Sequence, residues 1–356
     1  MLSLFSDIQP VKGYLRHLLI DINRAEFYFI PDNLFKIIRK YNKKIELDEL
    51  KKIYLPKYND LYEDYYSFLL KNELVFDIDY SKIICFNEIK FDFDYPFIIE
   101  NIVISITKNN NALIQKNIEN NFFTITKNIA FIINQNVSIR SIIEILELLY
   151  SKQLPYCEVV LDSSYKRNET VIKLIKEGLI KIKYYDYETE SNTNSYYYKT
   201  ISSLCCNIIM FTESQAHHTY FNRKLYIGAK GEIKNAPECE ETFGNINDIK
   251  DVEELKQIIA TPEFQKYWFV HKELCTVCKD CEFRHMCVDN RLPYKRKDGS
   301  WYQKTECNYN PYICKWKDEE GYQTLEEIGV ISNENGFSIN HEKIATINKI
   351  LWEEET

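Results

Sequence analysis

The spacing of apolar positions predicts a small α+β region at the start of the chain. Apolar runs at residues 18–21 and 26–30 flank a four-residue turn, which is typical of a β-hairpin. Helical periodicity follows after Pro31-Asp32, with helices expected at 32–38, near residue 47 and at 59–71, before a strand at 74–78. A hairpin, three helices and a returning strand predict a winged-helix-like module over residues 1–97.

The middle of the chain, residues 98–212, alternates strands with helices, which predicts parallel βαβ units. The strands are expected at 101–106, 122–125, 129–133, 157–161, 180–184 and 204–211, and the helices at 112–120, after Ser138 and at 169–177. Only three or four such units fit, too few for an eight-unit barrel. The predicted fold class is therefore α/β, with a degenerate partial (β/α) barrel at its centre.

The pattern changes at about residue 213. A hairpin at 224–227 and 231–233 precedes a helix at 251–260, and Thr261-Pro262 favours a second helix that ends near residue 272. Residues 287–314 are rich in loops, and a terminal helix is expected at 340–352. We predict a cysteine-rich metal-binding domain at 213–320 and a helical tail at 321–356.

Six of the eleven cysteines fall within forty residues. Two residues between cysteines allow a tight turn to direct both sulfurs at one ion or cluster, and a fourth thiol downstream completes a four-sulfur site. Disulfides and buried unligated thiols are the alternatives. The six clustered cysteines are Cys275, Cys278, Cys281, Cys287, Cys307 and Cys314.

Composition restricts the other classes of function. The N-terminus lacks a signal-peptide pattern and no apolar run approaches a membrane span, so we expect a cytoplasmic protein in which clustered thiols bind metal. An odd number of cysteines also prevents complete disulfide pairing. The net charge of -8 argues against a nucleic-acid partner. No membrane partner is expected.

Three stretches carry a resemblance to a known family. The hairpin at 224–239 that ends at Cys239, the run Phe243-Gly-Asn-Ile246 and the cysteine cluster resemble a SPASM domain, the auxiliary-cluster domain of radical-SAM peptide maturases. With Val11-Lys12-Gly13 and residues 98–102, the whole chain resembles the SPASM-domain protein of grasp-with-spasm systems. The resemblance implies work beside an ATP-grasp ligase on a ribosomally made precursor peptide, and [4Fe-4S] clusters bound by cysteines. It makes Cys278, Cys281, Cys287 and Cys307 the first-choice ligands, because the family's distal set is Cys-x2-Cys-x5-Cys with a later cysteine.

The chain departs from that family in its catalytic motif. Radical-SAM chemistry needs a Cys-x3-Cys-x2-Cys loop, whereas only Cys85, Cys157, Cys205 and Cys206 precede Cys239, and none has that spacing. We read these four as core residues and expect no radical chemistry. Whether the chain is an enzyme remains open at this stage. His217-His218 and Arg291 stand where the family has cysteines.

The metal and the number of sites are also open. Four thiolates suit zinc and [4Fe-4S] clusters alike. The spare thiols predict a second site with one of the paired histidines, and the alternative is that they pack as buried hydrophobes. The residues of that second set are Cys275, Cys314, Cys239 and His218. Cys275 is also a candidate to replace one of the first four ligands.

Two other segments carry functional hypotheses. Asp289-Asn290-Arg291 is either a surface turn or a place where Arg291 bonds a cluster sulfur or a partner's carboxylate. The strand at 26–30 is a candidate for binding peptide by strand addition, with Phe27 and Phe29 in the groove. The expected function is an accessory protein that presents a precursor peptide to an ATP-grasp ligase. The alternatives are an Fe-S redox or Lewis-acid enzyme and a zinc-stabilised interaction protein.

Overall fold

The structure is a computed structural model that describes residues 2–40, 44–45, 59–79, 89–120, 122–134, 137–152, 156–162, 165, 169, 181–185 and 200–353. The predicted helix near residue 47 and Cys85 lie outside the described residues, as does the predicted helix at 169–177 apart from residue 169.

The N-terminal region contains two antiparallel three-stranded sheets. Its elements are β1 (Leu2–Leu4), β2 (Ile8–Val11), β3 (His17–Asp21), β4 (Glu26–Ile30), α1 (Asp32–Lys40), β5 (Lys44–Ile45), α2 (Asn59–Lys71) and β6 (Val75–Asp77). The sheets have the orders β5-β1-β6 and β2-β3-β4. The predicted hairpin is confirmed, and its register pairs Leu18 with Phe29.

The sheet β2-β3-β4 is covered on both faces, because successive side chains of a strand point to opposite sides. Leu19 packs with Leu34 of α1 and other N-terminal residues. Leu18 and Ile20 instead join a cluster that includes Phe283 of the cysteine-rich segment. The sheet therefore connects the N-terminal helices to the segment that carries the cysteines.

A six-stranded sheet forms the middle of the molecule. Its elements in chain order are β7 (Ile99–Ile106), α3 (Asn111–Glu119), β8 (Thr126–Ile133), α4 (Ile139–Ser151), β9 (Tyr156–Asp162), β10 (Lys181–Tyr185), α5 (Ile208–Ser214), β11 (Lys224–Ile227) and β12 (Ile233–Lys234). The strand order is β10-β9-β8-β7-β11-β12, parallel throughout except for the antiparallel β11–β12 pair. The predicted α/β class is confirmed.

The largest core surrounds this sheet. Buried isoleucines occupy both faces of β7, as expected for a parallel sheet that is covered on both sides. The helix α6 (Val252–Ile259) packs against it through Leu255 and Ile259. Because β11 pairs with β7, the hairpin expected to start the cysteine-rich domain is part of the central sheet.

Three predicted elements are wrong. Residues 204–211 do not form a strand, because Asn207 accepts a hydrogen bond from Met210 N and starts α5. Residues 122–125 form a short 3-10 helix rather than a strand. The stretch after Thr261 forms turns instead of a continuous helix, with a short 3-10 helix at Lys272–Leu274.

The C-terminal part consists of three small hairpins and one helix. Their bounds are β13 (Pro293–Lys295) with β14 (Trp301–Gln303), β15 (Tyr309–Asn310) with β16 (Lys315–Trp316), β17 (Val330–Asn333) with β18 (Gly336–Ile339), and α7 (His341–Glu353). The predicted terminal helix is confirmed. Across the described ranges, no helix has the length and apolar character needed to cross a membrane.

Candidate metal centre

The cysteine-rich loop begins with two tight turns. Lys279 N donates to Cys275 O at 2.9 Å, and Cys281 N donates to Cys278 O at 3.1 Å within a 3-10 helix at Cys278–Asp280. Val277, just before this helix, has a φ of 69°, a left-handed conformation that is unfavourable for a β-branched residue. The local backbone therefore brings the Cys-x2-Cys pair together at the cost of strain.

The four first-choice cysteines line one cavity of about 410 Å³. Cys278 and Cys281 come from the turn, Cys287 from the following loop, and Cys307 from the segment between β14 and β15. The four cysteines that the resemblance singled out therefore line one common cavity.

The cysteines surround this cavity without meeting at one point. In the part of the chain that the structure describes, no group of three or more His, Cys, Asp or Glu side chains is arranged to hold a metal ion. One donor beside the sulfurs is unsatisfied: Gln303 is buried, and its Nε2 has no hydrogen-bond partner among the described residues. An unsatisfied buried N–H next to thiols fits a site that accepts sulfur-bound negative charge.

Three buried charged side chains stand against the cavity. Asp289 accepts from Lys272 Nζ at 2.9 Å and from Arg291 Nη2 at 2.7 Å, and Arg291 Nη1 donates to Thr305 O at 2.8 Å. Arg291 Nη2 also lies 3.8 Å from Cys278 Sγ. The surface-turn interpretation of residues 289–291 is wrong, because all three residues are buried.

This triad carries two positive charges and one negative charge. Burial raises the pKa of Asp289, but Arg291 and Lys272 more than offset this and hold it well below its usual range. Burial would lower the pKa of Lys272, yet Asp289 and the neighbouring thiols hold it above its usual value. One positive charge is left over beside the sulfurs, where it would favour thiolates.

Burial acts on four of the thiols in the opposite direction to that positive charge. Burial raises the pKa of Cys275 and of Cys287 to about 12, and it raises the pKa of Cys278 and Cys281 as well. A metal would therefore displace protons from these groups on binding.

The residues of the predicted second site have different surroundings. Cys239 packs with Phe221 and Ala236. Cys275 forms an isolated backbone β-bridge with Trp301. Cys314 lies beside Arg16 and donates to Pro311 O at 3.7 Å. The structure does not bring these three thiols to one common cavity.

His218 is fully buried near the charged triad. Its Nδ1 accepts from Tyr220 N at 3.2 Å, and its Nε2 has no hydrogen-bond partner within the described ranges. Burial, followed by the charge of Lys272, lowers its pKa well below the usual value, so the ring is neutral. His285, inside the cysteine loop, is also buried, and its Nδ1 lies 2.9 Å from Ser214 Oγ.

The turn after Gly13 docks onto the cysteine loop. Tyr14 N donates to Asp280 O at 2.8 Å, Arg16 Nε donates to Glu282 Oε1 at 2.8 Å, and Arg284 Nη1 donates to Lys12 O. A Cβ at Gly13 would lie 2.9 Å from Glu282 Cβ and would collide with Arg16 O. Glycine is therefore required for this close approach.

Phe27 and Phe29, the predicted peptide-binding residues, both contact the same ring of the cysteine loop. Their centroids lie 5.9 Å and 6.0 Å from that of Phe283. Phe29 is 40% exposed, and Arg16 lies 3.9 Å above its ring. Among the strands that the structure describes, β4 pairs only with β3, so its other edge has no strand neighbour.

The direction of that edge follows from Pro10, which pairs with Leu19 and has no N–H to donate to β3. Leu19 therefore directs its N–H and C=O toward β4. Because backbone groups alternate sides along an antiparallel strand, Tyr28, the partner of Leu19, bonds to β3, while Phe27 and Phe29 direct their N–H and C=O outward.

Sequence reasoning did not find Lys272, Glu282 or Gln303. Lys272 and Gln303 lie among other polar residues without a distinguishing spacing, and the partner of Glu282 is 266 positions away. Of these three residues, only Lys272 could have been suspected from the sequence, because it lies three positions before Cys275.

No protein-family model matches this chain. No curated protein matches it either.

Proposed function

We propose that this chain is an accessory protein in the maturation of a ribosomally synthesised and post-translationally modified peptide. It binds the precursor along β4 and presents it to an ATP-grasp ligase in the cytoplasm. Its SPASM-like segment holds a metal centre through Cys278, Cys281, Cys287 and Cys307. The observation that carries the proposal is that the cysteine loop itself forms the floor beneath β4, through Phe283.

The residues present fit a sulfur-bound metal group. Four cysteines line one cavity, an unsatisfied amide of Gln303 lies among them, and the buried triad has an excess positive charge. Tetrahedral zinc at about 2.3 Å from each sulfur needs ligands that converge on one point, whereas an iron-sulfur cluster is larger. The choice of a [4Fe-4S] cluster over a single zinc ion rests on the resemblance described under Sequence analysis.

The N-terminal region supports the peptide-binding part. In the winged-helix-like interpretation, the precursor adds as a further strand to β4, where main-chain hydrogen bonds give affinity. Phe29 offers an apolar surface beside that edge, and Arg16 above it offers a positive charge. The ligase partner follows from the resemblance described under Sequence analysis.

Precursor binding is tested with the short peptides encoded beside this gene, titrated against the full chain. In Phe29→Pro the outward N–H is lost, whereas Phe29→Ala loses the same side chain and keeps that N–H. We expect Phe29→Pro to weaken binding about tenfold relative to Phe29→Ala, since one main-chain hydrogen bond and the fit of the strand are removed. Equal affinity of the two variants would show that the peptide does not add to β4.

A second candidate function is catalysis at the metal centre. The lining of the cavity also contains Glu306, Tyr322 and Ser332, so the cavity has polar groups for a ligand beside the cysteines. An open metal position requires a three-cysteine site. The variant Cys307→Ala discriminates a catalytic from a structural metal centre. Retention of metal with a changed reaction favours the enzyme, and unfolding of the segment favours a structural centre. The third alternative, a zinc-stabilised interaction protein, predicts no binding to any of those peptides.

A further inference from the structure

A second cavity, of about 590 Å³, lies between the turn after Gly13 and helix α7. It is lined by residues 14–16, by Cys314 and by six residues of α7, which are His341, Ile344, Ala345, Asn348, Lys349 and Trp352. Its volume is in the range of small-molecule sites. Neither the metal centre nor the β4 edge accounts for it.

The charges that line this cavity have one sign. Among its described lining residues are Arg16, Lys349 and His341, and none of the lining residues is acidic. The Arg16 guanidinium is bonded through Nε to Glu282, whose side chain is fully buried behind it, while Arg16 stays 28% exposed. Lys349 and His341 add basic groups from the helix side.

Apolar and aromatic groups complete the lining, and contacts elsewhere hold them in place. Trp352 Nε1 donates to Ile313 O at 3.2 Å, which fixes the indole, and Ile344 is buried beneath it. Tyr14 OH lies 2.7 Å from His341 Nδ1, which orders both rings at the mouth. A ligand therefore meets a preformed apolar wall next to positive charge.

The backbone at the floor is strained. Cys314 has a φ of 52°, a left-handed conformation that is uncommon for cysteine, and its side chain is buried. Strain of this kind persists only where surrounding contacts hold it, and it is often found at binding sites. Asn348 directs Nδ2 to Tyr312 O at 2.9 Å, while its Oδ1 is buried and makes no hydrogen bond to the described residues.

We infer that this cavity binds a carboxylate carried on an apolar or aromatic group, such as the C-terminal residue of a peptide. The carboxylate lies between Arg16 and Lys349, and the apolar group packs against Trp352 and Ile344. The unsatisfied Asn348 Oδ1 accepts an N–H of the ligand, which a peptide end supplies. Arg16 also lies above Phe29 at the β4 edge, so the two sites share this residue, while Lys349, Trp352 and Ile344 line this cavity alone. The inference does not rest on the proposed function, because its test changes Lys349 and leaves Arg16 intact.

The test compares two probes on the full chain by calorimetry: N-acetyl-leucyl-phenylalanine as the free acid and as the carboxamide. The free acid is expected to bind at least tenfold more tightly, because only it carries the charge. A third probe, 3-phenylpropionate, distinguishes a free organic acid from a peptide end as the ligand. If it binds as tightly as the acid peptide, the ligand is a free organic acid. If it binds tenfold more weakly, the ligand is a peptide end.

Matched variants assign the effect to this cavity. Lys349→Gln is expected to weaken binding of the acid about tenfold and to leave the carboxamide unchanged. Lys343→Gln, on the same helix but outside the lining, is expected to change neither affinity. Arg16 is left intact because its contacts with Glu282 support the fold. The inference is overturned if acid and carboxamide bind equally, if neither binds, or if Lys343→Gln acts like Lys349→Gln.

Discussion

Single residues buried beside the cysteines decide the electrostatics of the centre. Lys272 and Arg291 share the carboxylate of Asp289, and the side chains of Lys272 and Asp289 are each only 3% exposed. The attraction within such a triad offsets its large desolvation cost only while every partner is present. Removing the single anion would leave two cations buried with no compensation.

Asp289→Asn should therefore destabilise the protein by about 3–5 kcal/mol, measured by denaturant unfolding. Glu241→Gln is the control, since it removes an ion pair with Lys266 in which both side chains are roughly half exposed. That change should cost less than about 1 kcal/mol. Comparable losses in the two variants would contradict the buried triad.

Glu213 makes stability depend on pH. Burial, more than the charge of Glu100, raises its pKa to about 7, while Asn222 donates to its Oε1 at 2.8 Å. The folded state thus binds this proton more tightly than the unfolded state, whose pKa is about 4.3. Stability falls as the pH rises from about 4.5 to 7 and is level above that window.

Glu213→Gln removes this titration and keeps an acceptor for Asn222. We expect the variant to be more stable than the wild type by about 3–4 kcal/mol at pH 8, and the difference to vanish near pH 4. Unfolding free energies across this range provide the measurement. A difference that is the same at both pH values would show that Glu213 is not held protonated.

At the scale of elements, the turn between β2 and β3 fastens the N-terminal sheet to the cysteine loop. Gly13→Ala would force Arg16 O or Glu282 to move, with an expected cost of about 1–3 kcal/mol. Gly336→Ala is the matched control, because nothing lies within 4 Å of the Cβ it would add. Equal unfolding free energies of the two variants would contradict this docking.

Sequence patterns predicted elements well where one period dominated. The strand at 26–30 and the helix that starts at Ile139 have clear periods, and the structure confirms both. The apolar run at 204–211 is ambiguous between strand and helix because it is short. The Asn207 cap resolved it, and that signal was present in the sequence.

The site was predictable only in part. The Cys-x2-Cys-x5-Cys spacing of Cys278, Cys281 and Cys287 is local, so the sequence could show it, whereas Cys307 was added through the resemblance. The Lys272–Asp289 pair and the contact of Arg16 with Glu282 join distant positions, so a single sequence does not reveal them. Burial of residues 289–291 likewise depends on the fold around them rather than on their own composition.

At the scale of the whole molecule, the cysteine loop and the sheet β2-β3-β4 share one hydrophobic core. Phe283 lies between Cys281 and Cys287 in sequence and packs with Leu18 and Ile20 of β3. Ordering of the loop by metal should therefore stabilise the sheet as well. The two regions are expected to unfold together rather than independently.

If the cysteine loop holds the metal centre that we propose, treatment with a chelator should lower amide protection in β3 and β4 while protection in β8 and β9 changes little. Hydrogen exchange followed by mass spectrometry measures this, because protection reports local opening. The central sheet serves as the internal control. Unchanged exchange in β3 after complete metal loss would contradict the coupling.

The most direct test of the account is the metal content of protein purified without oxygen, compared with a variant in which Cys278, Cys281, Cys287 and Cys307 are all serine. The account predicts a broad absorption band near about 400 nm, with about four iron and four sulfide per wild-type chain and none in the variant. A wild-type chain without metal, or metal retained by the variant, would contradict it.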